Sequence, residues 1–212
     1  KPRKKLAKKM LAFTRLQIPY EQYKYGLKNQ YSNNIDSAIY WFNKSTKTAN
    51  NELLFEINTH KKDLAIMLID SVNIYKNNLT FEDAENIIQK AKKLDDYYYV
   101  NEVLANLYIE KGDALKNVGN YNKAFIYYNK AEKTYPDANI RLVEKYYILT
   151  EKLIDEANNA LNNKEYAVAI ELFNFAIEIN PSEQSRLETI INNLYSKLSL
   201  EESNQIKKRI KD

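Results

Sequence analysis

The sequence predicts an all-α protein built from repeated pairs of helices. Only three glycines and four prolines occur in 212 residues, too few for the many tight turns of an all-β fold. Apolar residues recur at helical spacing on both sides of short polar breaks. One arrangement of small and large residues also returns four times, which predicts a stack of similar units.

The chain opens with a strongly basic leader. Residues 1–15 carry seven Lys or Arg and no acid, which leaves 25 bases and 28 acids in residues 16–212, a net charge of −3. Residues 3–16 are predicted to form an amphipathic helix, and Pro19 is expected to limit its continuation. Its apolar side is formed by Leu6, Met10, Leu11 and Phe13.

Two roles are open for this leader. The preferred interpretation is a linker or capping helix, because so short a segment usually needs a second signal to hold a membrane. The alternatives are contact of residues 1–16 with an anionic membrane or with nucleic acid. The negative charge of the remaining chain opposes a long nucleic-acid track.

The first two copies of the repeat are degenerate. The first, at about 20–52, has Gly26 in its first helix, a turn at 32–34 and Ala38 in its second helix. The second, at about 65–98, has Val72 in place of the small residue. Its second helix is predicted to begin at Thr80, followed three residues later by Asp83.

The third and fourth copies are better preserved. The third, residues 105–138, has Gly112 in its first helix, a break at Val118-Gly119-Asn120, then Ala124, and ends at Pro136. The fourth, at about 150–183, repeats the pattern with a turn at 162–164. Its markers are Ala157, Tyr166, Ala169, Phe173, Ala176 and Pro181.

The third copy resembles the tetratricopeptide repeat. The residues that carry the resemblance are Gly112, Tyr121, Ala124, Tyr128, Ala131 and Pro136, with Tyr108 where that family often has Trp. The resemblance implies a right-handed α-solenoid of four helix pairs over residues 19–183. It also implies a protein-interaction scaffold or adaptor, which in bacterial members often belongs to envelope, secretion or motility assemblies.

The copies are longer than the 34 residues of that family. The marker alanines, Ala38, Ala84, Ala124 and Ala169, are spaced by 46, 40 and 45 residues. The additional residues keep helical periodicity, so the first helix of each later pair is expected to be lengthened at its N-terminal end. After Pro181, residues 184–212 are predicted to form a C-terminal capping helix and tail, with a short last helix at 200–210.

Acidic and amide side chains recur on the predicted first helices with one spacing, i, i+3 and i+7, which places each trio on one helix face. In proteins that this chain resembles, these helices line the concave surface, where Asn can hold an extended peptide and acids favour a basic partner. The alternative is a role in solubility and local capping. The trios are Asp70, Asn73 and Asn77; Glu110, Asp113 and Asn117; and Asp155, Asn158 and Asn162.

Three tyrosines of the first copy, Tyr20, Tyr23 and Tyr31, are further candidates to anchor a partner. The alternative is that they fill the core between helices. Some members of the family grip a C-terminal carboxylate with a Lys early in the first helix. Here that position holds Tyr23, Ile69, Ile109 and Ile154, which argues against such binding.

Nothing in the sequence favours catalysis, a metal or a cofactor. There is no Cys, the single His60 lies in a polar run and is expected at the surface, and no glycine-rich phosphate loop occurs. The expectation is a binding protein and not an enzyme, with cytoplasm and periplasm both open. A small-molecule site would require an enclosed cavity beneath the lengthened helices.

Overall fold

A computed structural model describes residues 2–96 and 98–211, so that Lys1 of the leader, Tyr97 and Asp212 lie outside the described residues. The described residues form ten α-helices and three 3-10 turns and contain no β-strand, which confirms the all-α prediction. The helices are α1 (Pro2–Tyr31), α2 (Ile35–Thr46), α3 (Asn51–Tyr75), α4 (Phe81–Leu94), α5 (Tyr98–Asn117), α6 (Tyr121–Thr134), α7 (Asn139–Asn162), α8 (Tyr166–Ile179), α9 (Gln184–Tyr195) and α10 (Leu200–Lys211).

The helices pack in neighbouring pairs, α1 with α2, α3 with α4, and α7 with α8. In a fourth pair, Gly112 of α5 lies against the Tyr128 ring of α6. The chain divides into two compact units, Lys1–Leu107 and Tyr108–Asp212, and α5 contributes to both. The predicted helical hairpins are therefore present.

The second helix of each pair buries the same three positions, spaced i, i+4 and i+7. This spacing puts a small residue, a large residue and a second small residue on one face, so two helix backbones can approach closely around one large side chain. All of these residues are buried: Ala38, Phe42 and Ser45 in α2; Ala84, Ile88 and Ala91 in α4; Ala124, Tyr128 and Ala131 in α6; and Ala169, Phe173 and Ala176 in α8.

The equivalent position on each first helix lies sixteen residues before the large residue. In two pairs this position is a glycine, and an added Cβ would lie 2.5 Å from Cδ1 of Phe42 at Gly26 and 2.4 Å from Cε1 of Tyr128 at Gly112. Both rings are fully buried and cannot move aside, so glycine is required there. The other two pairs combine Val72 with Ile88 and Ala157 with Phe173.

The turns within the pairs also share a register. Asn33, Gly119 and Lys164 have φ of 56°, 77° and 62°, and each lies seven residues after the small residue of its first helix. The second pair instead ends α3 with a 3-10 turn, Lys76–Asn78. The side chains of Asn34, Thr80 and Asn120 then accept a hydrogen bond from the backbone three residues ahead and begin the second helix.

The lengthened first helices are confirmed. Helices α3, α5 and α7 have 25, 20 and 24 residues, against 12 to 14 residues in the second helices. The additional residues continue the helix towards its N-terminus, because no glycine or proline interrupts them.

The prediction that Pro19 limits the leader helix is wrong. Helix α1 runs without a break from Pro2 to Tyr31, with Pro19 buried inside it. A proline within a helix loses one backbone hydrogen bond, at a cost of about 3 kcal/mol. The packing of α1 against α2, in which Gly26 lies against the Phe42 ring, offsets that cost and keeps α1 helical.

The helices predicted after the last repeat are present. A 3-10 turn, Pro181–Glu183, leads into α9, and both α9 and α10 pack against α8. They bury Leu187, Ile191 and Leu194 from α9 and Ile206 from α10. This apolar cover on the last pair agrees with the expected capping role.

The register of the third pair leads to a stability prediction. Replacing the fully buried Ala124 with Phe is expected to destabilise the protein by about 1–3 kcal/mol, because the larger side chain forces α5 and α6 apart. The melting temperature should fall by about 2–12 °C in a scanning calorimeter. Ala114→Phe, at an exposed site on α5, is the control and should change it little. Equal melting temperatures for wild type and Ala124→Phe would contradict the register.

Candidate partner-binding surfaces

The structure places most residues of the three polar trios at the surface. Eight of the nine are exposed: Asp70, Asn73, Asn77, Glu110, Asn117, Asp155, Asn158 and Asn162. They lie towards the C-terminal ends of the first helices α3, α5 and α7, with Asn77 in the 3-10 turn after α3. Asp113 is the exception, since it is only partly exposed and is engaged within the protein.

An open groove runs along α3 and contains one trio residue, Asp70. Its apolar lining is exposed, with Ile66 at 38 %, Met67 at 52 % and Ile74 at 73 %. Asp63 and Asp70 add carboxylates, Ser71 completes the lining, and the groove has a volume of about 370 Å³. We call this set of six residues the α3 groove. Exposed apolar side chains beside carboxylates are suited to a partner with both apolar and basic groups.

Sequence reasoning did not find the apolar part of the α3 groove. The signal was available, since Ile66, Asp70 and Ile74 are spaced by one helical turn each and therefore share a face. Apolar residues at helical spacing normally indicate a core, and only the structure distinguishes this face from the buried one. The buried face of α3 carries Leu64, Ala65, Ile69 and Val72.

Asp113 is a correction to the predicted site. One of its carboxylate oxygens accepts a hydrogen bond from the Tyr128 hydroxyl at 2.8 Å, and the other lies 2.7 Å from Nζ of Lys145. Lys116 Nζ adds a weaker contact at 3.6 Å. Asp113 thus joins α5, α6 and α7, and both of its carboxylate oxygens are engaged within the protein.

The other trios lack this internal bond because of one hydroxyl group. Asn73 and Asn158 stand at the positions equivalent to Asp113, but the large residues of their pairs are Ile88 and Phe173, which have no polar atom. Among the three pairs that carry a trio, only the third has an acid at this position and a tyrosine as its large residue. This combination was visible in the sequence and indicates a local hydrogen bond.

The environment of Asp113 favours its charged form. Burial alone raises the pKa of the carboxyl, but the hydrogen bonds from Lys145 and Tyr128 outweigh burial, and the pKa lies below its ordinary value. Burial and the bond to Asp113 also raise the pKa of the Tyr128 hydroxyl. Asp113 is therefore an ionised structural residue near neutral pH.

The lengthened part of α7 fastens that helix to the preceding pair. Lys145 pairs with Asp113 of α5, and the Tyr146 hydroxyl lies 2.8 Å from Oδ1 of Asn129 and 3.2 Å from Oε2 of Glu132, both on α6, so that its one proton can be donated to either acceptor. The Tyr146 ring also meets Tyr128 edge to face. The additional residues of α7 thus have a packing role as well as extending the surface.

The three tyrosines of the first copy have different environments. Tyr31 is 83 % exposed and Tyr20 is 45 % exposed, so both remain candidates to touch a partner. Tyr23 is 2 % exposed and packs its ring against Phe42, with 6.0 Å between centroids. Its position on α1 faces the core, as in the alternative interpretation that these tyrosines fill the space between helices.

Tyr23 instead centres a polar network that also corrects the expectation for His60. Its hydroxyl lies 3.0 Å from Oε1 of Glu56 and 2.8 Å from Nδ1 of His60. A phenol has one proton, so donation to Glu56 leaves its oxygen to accept from His60 when Nδ1 carries a proton. His60 is thus not a purely surface residue but holds α3 against α1.

The positions that would carry a carboxylate-binding Lys in the resembled family are all in the core. Tyr23, Ile69, Ile109 and Ile154 are each less than 9 % exposed. A charged side chain at these sites would lose its hydration without a partner. The departure noted in the sequence therefore has a packing reason.

A second open groove lies between α1 and the start of α3. It has a volume of about 330 Å³, and Phe13, Gln17, Tyr20, Leu53 and Glu56 are among its lining residues. It is open to solvent along its length, unlike the enclosed cavity expected of a small-molecule site. The described residues contain no cluster of three or more His, Asp or Glu placed to hold a metal ion.

Neither protein-family models nor curated protein sequences give a match to this chain. Among the described helices, none combines the length and the apolar character needed to cross a lipid bilayer.

Proposed function

We propose that this chain is a protein-interaction scaffold of the tetratricopeptide-like type, which binds a basic segment of a partner on the exposed faces of its first helices. The observation that carries the proposal is the α3 groove, where apolar and acidic side chains of one helix face are open to solvent together. The proposal assigns no catalytic step, metal or cofactor to the chain.

The chemistry of the α3 groove sets the kind of partner. Ile66, Met67 and Ile74 offer apolar surface, which favours partner side chains such as Leu, Ile or Phe as anchors. Asp63 and Asp70 lie at the same groove and favour Lys or Arg next to those anchors. A lysine-rich segment with spaced apolar residues meets both requirements.

In the second unit, α5 and α7 offer a more polar face. Asn117, Asn158 and Asn162 are exposed, and each amide can both donate to and accept from a peptide backbone. Asp155 adds an exposed carboxylate, which again favours a basic partner. The ion pair of Asp113 with Lys145 fixes α5 beside α7, so these amides are presented on packed helices and not on loops.

The alternative role for these polar residues is solubility, and one experiment separates the two. Peptides selected on the purified chain from a random displayed library should be enriched in Lys and Arg. Changing Asn73, Asn117 and Asn158 together to Ala should weaken binding of the selected peptides about tenfold or more, because the hydrogen bonds of three exposed amides to the peptide are lost. Fluorescence anisotropy measures this affinity. Asp70→Asn should reduce both affinity and its dependence on salt.

The matched control changes three other exposed asparagines, Asn51, Asn122 and Asn192, to Ala. It should bind the peptides as wild type does, and all variants should keep the wild-type melting temperature. Unchanged affinity in the Asn73, Asn117 and Asn158 variant, with an intact fold, would reject the proposal. A selection without enrichment in basic residues would also reject it.

A further inference from the structure

The first four turns of α1 expose a row of large apolar side chains. Leu6 and Met10 are 60 % and 64 % exposed, and Leu11, Phe13 and Ile18 are 54 %, 64 % and 48 % exposed. A capping helix would bury such residues, and these are not buried. This exposed apolar surface is of the kind that marks contact with a membrane or another molecule.

The leader is amphipathic along one side of the helix. Leu6, Met10 and Phe13 have the spacing i, i+4 and i+7, which places them on one face. Lys4 and Lys8, one turn apart, lie on the opposite face, which also carries Leu11 and Ile18, and both lysines are exposed. A face of three large apolar residues with lysines opposite it is suited to a helix that lies in the surface of a bilayer.

The distribution of charge along the chain indicates what kind of surface the leader binds. Residues 1–15 contain seven bases and no acid, whereas residues 16–212 have a net charge of −3, so the leader is the part of the chain that an anionic surface attracts most strongly. We propose that residues 2–18 dock on an anionic lipid membrane, with Leu6, Met10 and Phe13 inserted among the lipids and the lysines near the headgroups.

The apolar row distinguishes a membrane from nucleic acid as the partner. Binding to a phosphate backbone uses the lysines but leaves exposed Leu6, Met10 and Phe13 without a role. Insertion into a bilayer uses both the lysines and the apolar side chains. It also supplies the two signals that stable membrane binding requires, apolar insertion and a polybasic cluster.

The test is co-sedimentation of the full chain with lipid vesicles. Binding to vesicles with about one third phosphatidylserine should exceed binding to pure phosphatidylcholine vesicles about tenfold or more, and it should fall as salt rises. Changing Lys4, Lys8 and Lys9 to Glu should abolish this difference. Changing Leu6, Met10 and Phe13 to Gln should reduce binding about tenfold at unchanged charge.

The control variant carries the same charge change on the body. Lys47, Lys133 and Lys152 are exposed, and their replacement by Glu should leave vesicle binding close to that of wild type. Equal binding to neutral and anionic vesicles, or equal loss in the control, would overturn the proposal. The proposal would also be overturned if the chain bound duplex DNA or RNA tightly but did not bind vesicles, and if the Gln variant bound the nucleic acid as wild type does. Because these exposed sites do not enter the core, every variant should keep the wild-type melting temperature. Peptide binding to the first helices is measured in a separate assay, so that failure of one proposal can be told from failure of the other.

Discussion

Replacing Gly112 with Val is expected to lower the free energy of unfolding by about 3 kcal/mol. Even the first added carbon would lie 2.4 Å from Cε1 of Tyr128, where carbon atoms normally stay more than 3.4 Å apart. The Tyr128 ring is fully buried and its hydroxyl donates a hydrogen bond to Asp113, so the ring cannot move away without breaking that bond. Chemical denaturation with urea measures this difference.

The protein itself suggests a rescue for this variant. The second pair has Val72 and Ile88, both buried, at the positions equivalent to Gly112 and Tyr128. The double variant Gly112→Val/Tyr128→Ile reproduces that combination in the third pair. It should be about 1–2 kcal/mol more stable than the sum of the two single changes predicts, because the clash is relieved.

Ala114→Val is the control for Gly112→Val, since it places the same side chain at an exposed site on the same helix. Its cost should be about 0.5 kcal/mol, from helix propensity alone. Strict additivity of Gly112→Val and Tyr128→Ile would show that the two positions do not meet.

Replacing Asp113 with Ala is expected to cost about 2–3 kcal/mol. The change leaves the hydroxyl of the buried Tyr128 and the partly buried Lys145 ammonium without their acceptor. Because Asp113 joins three helices, the loss should appear as global destabilisation of the second unit in urea denaturation.

The pH dependence of this effect has a definite sign. The pKa of Asp113 in the folded protein lies below its ordinary value of about 4, so its contribution to stability is present above that value. It is lost as pH falls through the lower, folded pKa. The stability difference between wild type and Asp113→Asn should therefore shrink as pH falls from about 6 to about 2.

The control for Asp113 is the exposed ion pair of Asp36 with Lys90, whose atoms lie 2.9 Å apart with 69 % of the Asp36 side chain exposed. Asp36→Ala should cost about 1 kcal/mol or less, because water screens the pair. A similar cost for Asp36→Ala and Asp113→Ala would contradict the structural role given to Asp113.

Much of the fold could be predicted because small residues at fixed spacing have a direct physical meaning. Gly112 and Ala124 permit two helices to approach, and Gly26 and Ala38 have the same use in the first copy. The lengthened first helices were predictable for a related reason, since helical periodicity continued through the added residues without Gly or Pro.

The errors concern contacts across long sequence distances. Spacing placed Asp113 on a face with Glu110 and Asn117, but it could not show that Lys145, 32 residues later, would reach that face. The same limit applies to Tyr23, which meets His60 at a separation of 37 residues. Pro19 was misjudged because local propensity opposes a helix that tertiary packing maintains.

The continuity of α1 has a mechanical meaning. A helix of 30 residues is about 45 Å long, and the residues that would touch a membrane share it with Gly26, which is held against Phe42. A flexible tether would limit only the distance between a surface and the first repeat. A continuous helix also fixes orientation, so any surface that sets the tilt of its first turns sets the direction in which the first repeat is held.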